Sequence, residues 1–205
     1  MLSQVDPPRH TRFRRLVAGF FTGPAVNRLQ GYLDTHIVDL LNRLPASRPV
    51  DFMTHFAIPL PIDVIADQLG VPREDAPLIK RWTDAMITAE RKLACTREIV
   101  DFQRYFVQLR ERKIREPRNN ILSTLAVANT DEGVALTTEK FIAICAQLMV
   151  AGNETTRNHL AKGAWLLTQR ADLLQALHDE PTLAARFVDE TLRLESPVQG
   201  LFRRC

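Results

Sequence analysis

The sequence is short of glycine, cysteine and long apolar runs, and each shortage excludes something. Eight glycines in 205 residues argue against a Gly-rich nucleotide loop. The alternating β-branched runs that build a sandwich or barrel are missing too. Three cysteines at wide spacing form neither a disulfide framework nor a zinc pattern, so a reducing compartment is the default. No run approaches the length of a membrane span, and the N-terminus does not read as a signal peptide. A large charge of one sign is also absent. The formal net charge is +3, too small to imply a strong field for nucleic acid. The basic residues divide into 22 Arg and 5 Lys. They are scattered rather than striped along one segment, so the excess reads as base composition more than as Arg forks for phosphate or carboxylate.

What is present is helical periodicity. Hydrophobic residues make up 45% and charged residues 25%, an ordinary globular balance in a length that suits one large domain. Asp6, Pro7 and Pro8 read as a helix start, with Asp6 able to cap free amides and proline suited to a first turn. Phe13, Leu16, Val17 and Phe20 follow at helical spacing, and Gly23-Pro24 is expected to stop that helix. A second amphipathic run carries Val26, Leu29, Leu33, Ile37, Leu40, Leu41 and Leu44. Residues 50–52 are expected to form a short strand. Helices are expected over about 62–69, ending at Gly70, over about 73–88 and over about 95–115. Asn119-Asn120 opens a short apolar piece over 121–127, and residues 130–133 read as a polar turn. The longest pattern covers about 137–169, a rod of roughly 50 Å at 1.5 Å per residue. Two shorter helices are expected near 172–178 and 183–194, the last ended by Pro197. The expected fold class is all-α, mainly helical with minor β, in a single domain over 1–205.

Three motifs lie on three of these helices. In Asp6-Pro7-Pro8-Arg9-His10-Thr11-Arg12-Phe13-Arg14, the 100° turn per residue sets His10 and Arg14 along one edge of the Phe13, Val17, Phe20 stripe. Arg12 and Arg15 are expected on the far side. Such an edge suits an anion lying against an apolar body; it also suits a solvated basic face. The second motif, Ala151-Gly152-Asn153-Glu154-Thr155-Thr156, falls in the middle of the long helix. Phe141, Cys145, Leu148, Gly152 and Thr155 share one face. A glycine inside a helix costs about 1 kcal/mol against alanine, which either a closely approaching ligand or close helix packing could offset. Glu154 and Thr155 bring together a carboxylate and a hydroxyl, the components of a proton relay. The third motif, Glu190-Thr191-Leu192-Arg193, spaces two opposite charges for an intrahelical pair, and is weak alone.

The combination, in this order, closely resembles the cytochrome P-450 family of haem-thiolate monooxygenases in its soluble bacterial form. The resemblance implies that residues 6–14 open the family's C helix, with His10 and Arg14 binding the propionates of haem b. It implies that Ala151 and Gly152 line the haem, Gly152 leaving room for O2, and that Glu154 and Thr155 deliver protons during O2 activation. Glu190 and Arg193 match the structural Glu-x-x-Arg pair, and Arg203, in the segment that follows, would be a further propionate contact. Arg9 departs from the acidic residue common in the family. The larger departure is the iron ligand. The family carries it on a cysteine in a Gly-rich loop well beyond the Glu-x-x-Arg helix, and none of Cys95, Cys145 and Cys205 has that setting. No metal ligand is therefore assigned. The chain resembles a middle section of the family's fold, without its N-terminal region and Cys loop, whether as a natural truncation, a frameshift or a fragment. The implied parent activity is oxygen insertion into a small apolar organic substrate, with a ferredoxin or flavin-type redox partner, cytoplasmic, and with no nucleic acid or membrane involved. The chain alone is expected to be inactive. One alternative is a helical DNA-binding regulator, resting on the all-α reading and the basic segment 9–15, although no helix–turn–helix is visible. Another is a non-catalytic remnant, which a spectrum with added haem separates from the first reading.

Overall fold

The structure, a computed structural model, describes residues 5–92, 97–128 and 135–200. Its helices are α1 (Arg9–Ala18), α2 (Gly23–Asn27), α3 (Gln30–Asn42), α4 (Pro59–Leu69), α5 (Ala76–Lys92), α6 (Arg97–Arg115), α7 (Ile121–Ala126), α8 (Thr138–Gln169), α9 (Ala171–Asp179) and α10 (Ala184–Leu194). The all-α expectation holds, and among the described residues there is no strand.

Four local expectations are corrected. The strand expected at residues 50–52 is instead the lead into a π-helical turn, Met53–Ala57. The carboxylate of Asp51 starts it, accepting from the Thr54 amide at 3.2 Å and the Thr54 hydroxyl at 2.7 Å. Phe52 and Phe56 stack one turn apart at 5.1 Å. Gly23-Pro24 does not stop the first helix, which has already ended; it begins α2, with proline in the first turn, where its missing N–H has no intrahelical partner to lose. The single run expected over residues 26–44 is therefore two helices, α2 and α3. Asp6 supplies α1 with its backbone carbonyl, which accepts from the His10 amide at 3.0 Å, and no side chain caps that helix. The polar turn expected over 130–133 lies outside the described residues.

The core forms where α4, α5, α6 and α7 close around the N-terminal half of α8. Phe102, Phe106 and Leu109 of α6, Ile121, Leu122 and Leu125 of α7, Leu69 of α4 and Phe141, Cys145 and Met149 of α8 are buried in one cluster. Phe102 and Phe106 sit one turn apart with ring centroids at 4.5 Å, and Trp82 meets Phe102 edge-on at 5.9 Å. Burying a Phe or Leu side chain fully is worth about 1.5–3 kcal/mol, so this cluster carries the domain. At 32 residues, α8 runs for roughly 48 Å. Thr137 caps its start, accepting from the Lys140 amide. Arg110 of α6 ties the same end, bonding the Leu136 carbonyl and the Thr138 hydroxyl with its guanidinium over Phe141. Gly70 ends α4 at φ 81°, in the left-handed region that glycine tolerates best.

Candidate functional site

The long helix α8 presents two faces. Its core face carries Phe141, Cys145, Met149 and Asn153. Leu148, half-buried, packs against the same core cluster, and beside it Thr155, half-buried, and Ala151, exposed, form a more open strip. Thr155 belongs to this open strip. Its hydroxyl donates to the Ala151 carbonyl one turn back, at 3.0 Å, a local bond that β-hydroxy residues commonly make inside helices. Glu154 is half-buried and has a partner. Since α8 is unbroken from Thr138 to Gln169, Glu154 stays about 100° round the helix from Thr155. The local distortion that would turn it toward the hydroxyl's face is not found.

Gly152 lies against α4. A Cβ built on it would sit 3.0 Å from Ile65 Cδ1 and Cγ1. Of the two ways to offset a mid-helix glycine, close packing is therefore visible here: without a side chain, α8 can approach α4 at Ile65.

On α1, Phe13 and Val17 are buried in the main core, in the cluster that holds Ile144 of α8. Lys140 of α8 and Arg9 each stand 5.8 Å from the Phe13 ring centroid. The expected edge residues differ in burial. His10 is half-buried and Arg14 exposed, and among the described residues neither has a polar partner. Arg12, expected on the far side, is half-buried, and both it and Arg15 have partners. His10 and Arg14 are thus open to an anion among the described residues, on a helix that meets α8 near its start, at Lys140 and Ile144.

Glu190 and Arg193 do pair, through two bonds of 2.9 and 2.5 Å. Both are exposed, and the guanidinium lowers the Glu190 carboxyl below its usual range. Arg203, Cys95 and Cys205 lie outside the described residues. Cys145 is completely buried, and burial pushes its thiol well above the usual range. Because the thiolate is the nucleophile and the metal ligand, Cys145 is inert. Alkylation with iodoacetamide at pH 8, followed by peptide mass spectrometry, is expected to leave Cys145 unmodified in the native chain and to label it fully in denaturant.

Two residues of α8 were not singled out by sequence reasoning. Asn153 is 1% exposed, and among the described residues neither of its amide atoms has a hydrogen-bond partner; His159 buries Nδ1 in the same condition. His159 was legible as the residue four positions after Thr155. The burial of Asn153 was not legible, because a polar residue beside Glu154 reads as surface.

The described residues form a helical fold crossed by one long helix, α8, against which α4 and α5 pack. The comparisons make it specific. No family model matches the chain. Vitamin D(3) 25-hydroxylase of Pseudonocardia autotrophica is 36% identical over 202 residues, covering 97% of this chain and 49% of the relative. Cytochrome P450 monooxygenase PikC of Streptomyces venezuelae is 37% identical over 199 residues, covering 95% and 47%. Among solved structures, P450BioI in complex with an acyl carrier protein ligated to hexadec-9Z-enoic acid matches with a TM-score of 0.86 at 30% identity, over 97% of this chain and 52% of that one. Ligand-free P450 monooxygenase TamI matches with a TM-score of 0.80 at 36% identity, over 96% and 48%. The fold is that of bacterial cytochrome P450s, and the chain carries about half of it. It spans about half the length of the curated relatives it matches. Among the described residues no helix is long and apolar enough to cross a membrane.

Proposed function

We propose that this chain is one partial domain of a cytochrome P450 monooxygenase, forming part of the wall of a haem b site at which O2 is activated and oxygen is inserted into a small apolar organic substrate. Electrons would come from a ferredoxin or flavin-type partner. The observation that carries the reading is the match of the fold to bacterial cytochrome P450 structures over 97% of the chain, with His10 and Arg14 on α1 and Thr155 on α8 without other side-chain partners among the described residues.

These residues fit the group. A porphyrin needs an apolar wall for its ring and cations for its two carboxylates. Ala151, with the exposed edge of the half-buried Leu148, would offer the first, and His10 and Arg14 would offer hydrogen bonds for the second. Bound haem would supply the iron that activates O2. The chain's own contribution there is the Thr155 hydroxyl. Its ordinary acidity is far too weak for it to act as an acid, so it would orient water on that face and pass protons along hydrogen bonds. Glu154, about 100° round α8 from Thr155, would supply the carboxylate of the relay only by way of water. Glu190 and Arg193 would be structural, and Arg203 would add a third cation to the carboxylates. The relatives are consistent with apolar substrates: one is named for vitamin D(3) and one solved neighbour holds testosterone.

The test is a haem titration followed at the Soret band, with the full chain and with His10→Ala and Arg14→Ala. Each substitution is expected to weaken haem binding about tenfold, the usual scale for one charge-assisted bond. Equal affinity in the wild type and both variants would overturn the assignment of these cations.

A further inference from the structure

We propose that His159 is a positioning residue for Thr155, its imidazole N–H donating a hydrogen bond to Thr155 Oγ1 and fixing the orientation of that hydroxyl on the open face of α8. The two residues are four apart on an unbroken helix, which places them about 40° apart around the axis with Cβ atoms roughly 5–6 Å from each other. Helical side chains lean toward the N-terminus, the direction in which Thr155 lies from His159.

The hydrogen-bonding needs of the two groups are complementary. The single hydroxyl proton of Thr155 is committed to the Ala151 carbonyl, and Oγ1 can then only accept. His159 holds Nδ1 buried without a partner, and a neutral imidazole can carry its proton on that nitrogen. A side-chain rotation joins the two and removes a buried orphan, with no change in the backbone. The charged neighbours of His159 on α8 are already engaged: Arg157 with Asp84 of α5 at 3.2 Å, and Lys162 with Glu195 at 3.4 Å and with the Ser196 carbonyl at 3.0 Å. Glu154, on another face, is not placed to do the same work.

The hydrogen bond stands on this chain alone. Its consequence, a hydroxyl held toward the place where O2 would react, rests on the haem reading above. The test is long-range ¹H–¹⁵N NMR of the imidazoles in the full chain, with His159→Gln assigning the signal. Wild type and Thr155→Ser are expected to carry the neutral-ring proton on Nδ1. In Thr155→Val the ratio of the Nδ1–H to the Nε2–H tautomer is expected to fall about fivefold, the scale of one ordinary hydrogen bond. A wild-type ring protonated mainly on Nε2 would overturn the proposal, as would a ratio unchanged by Thr155→Val. If the tautomer responds as expected while the haem titration shows no binding, the haem reading fails and the positioning role stands.

Discussion

Replacing Gly70 with valine is expected to destabilise the chain by about 3 kcal/mol or more, combining a left-handed backbone with the loss of a helix cap. Gly70 closes α4 at φ 81°, where a β-branched residue is strained. Space is the second obstacle. A Cβ at this position would lie 2.2 Å from Asn120 Nδ2 and 2.3 Å from its Cγ, well inside contact distance. Asn120 cannot simply move away, because its Oδ1 accepts from the Ser123 amide at 2.9 Å and so caps α7. Displacing it frays the helix that buries Ile121, Leu122 and Leu125. For a chain of this size the expected loss corresponds to roughly 6–12 °C in Tm, read by circular dichroism at 222 nm. Asn120→Ala should reproduce only the capping share, about 1 kcal/mol. A Gly70→Val variant that melts with the wild type would show that neither the strain nor the contact is real.

The second large effect concerns chemistry. In the complete, haem-loaded monooxygenase of which this chain would form part, Thr155→Ala is expected to lower product formed per electron pair about a hundredfold, the lower end of what a positioned proton donor or acceptor contributes. Haem binding and reduction should be unchanged, since the substitution removes one hydroxyl from a strip that keeps Leu148 and Ala151. The electrons would then leave as hydrogen peroxide, formed from O2, two electrons and two protons delivered without direction. Product and peroxide measured together against electron donor consumed decide the matter. Glu154→Gln should have a smaller effect, because Glu154 lies about 100° from Thr155 on an undistorted helix. Unchanged coupling in Thr155→Ala, with Glu154→Gln also silent, would reduce the Ala151–Thr156 match to helix packing.

The comparison of these two sites shows what different kinds of sequence signal convey. Long, regular apolar spacing fixed α8 nearly to the residue: the expected 137–169 became Thr138–Gln169, because a long periodic pattern with a threonine cap allows few registers. The ends of α4 and α6 were legible for similar reasons, Gly70 at one and a run of basic residues at the other. Short segments were not. At residues 50–52 three apolar or acidic residues carry no period, and the Asp51 cap decided for helix.

Sequence alone determined that the chain is helical and that a histidine, an arginine, a carboxylate and a hydroxyl stand in an order that resembles cytochrome P450s. Those properties follow from local backbone geometry and from residue chemistry. Only the tertiary structure decided which open choices were taken. It showed that Gly152 meets Ile65 of α4, that Cys145 is sealed in the core, and that, among the described residues, Arg12 and Arg15 have partners while His10 and Arg14 have none and Asn153 and His159 bury unpaired polar atoms. Each of these depends on what another part of the chain places opposite a given face. A helical period says which residues point the same way; what they meet there is set by the packing of helices distant in sequence.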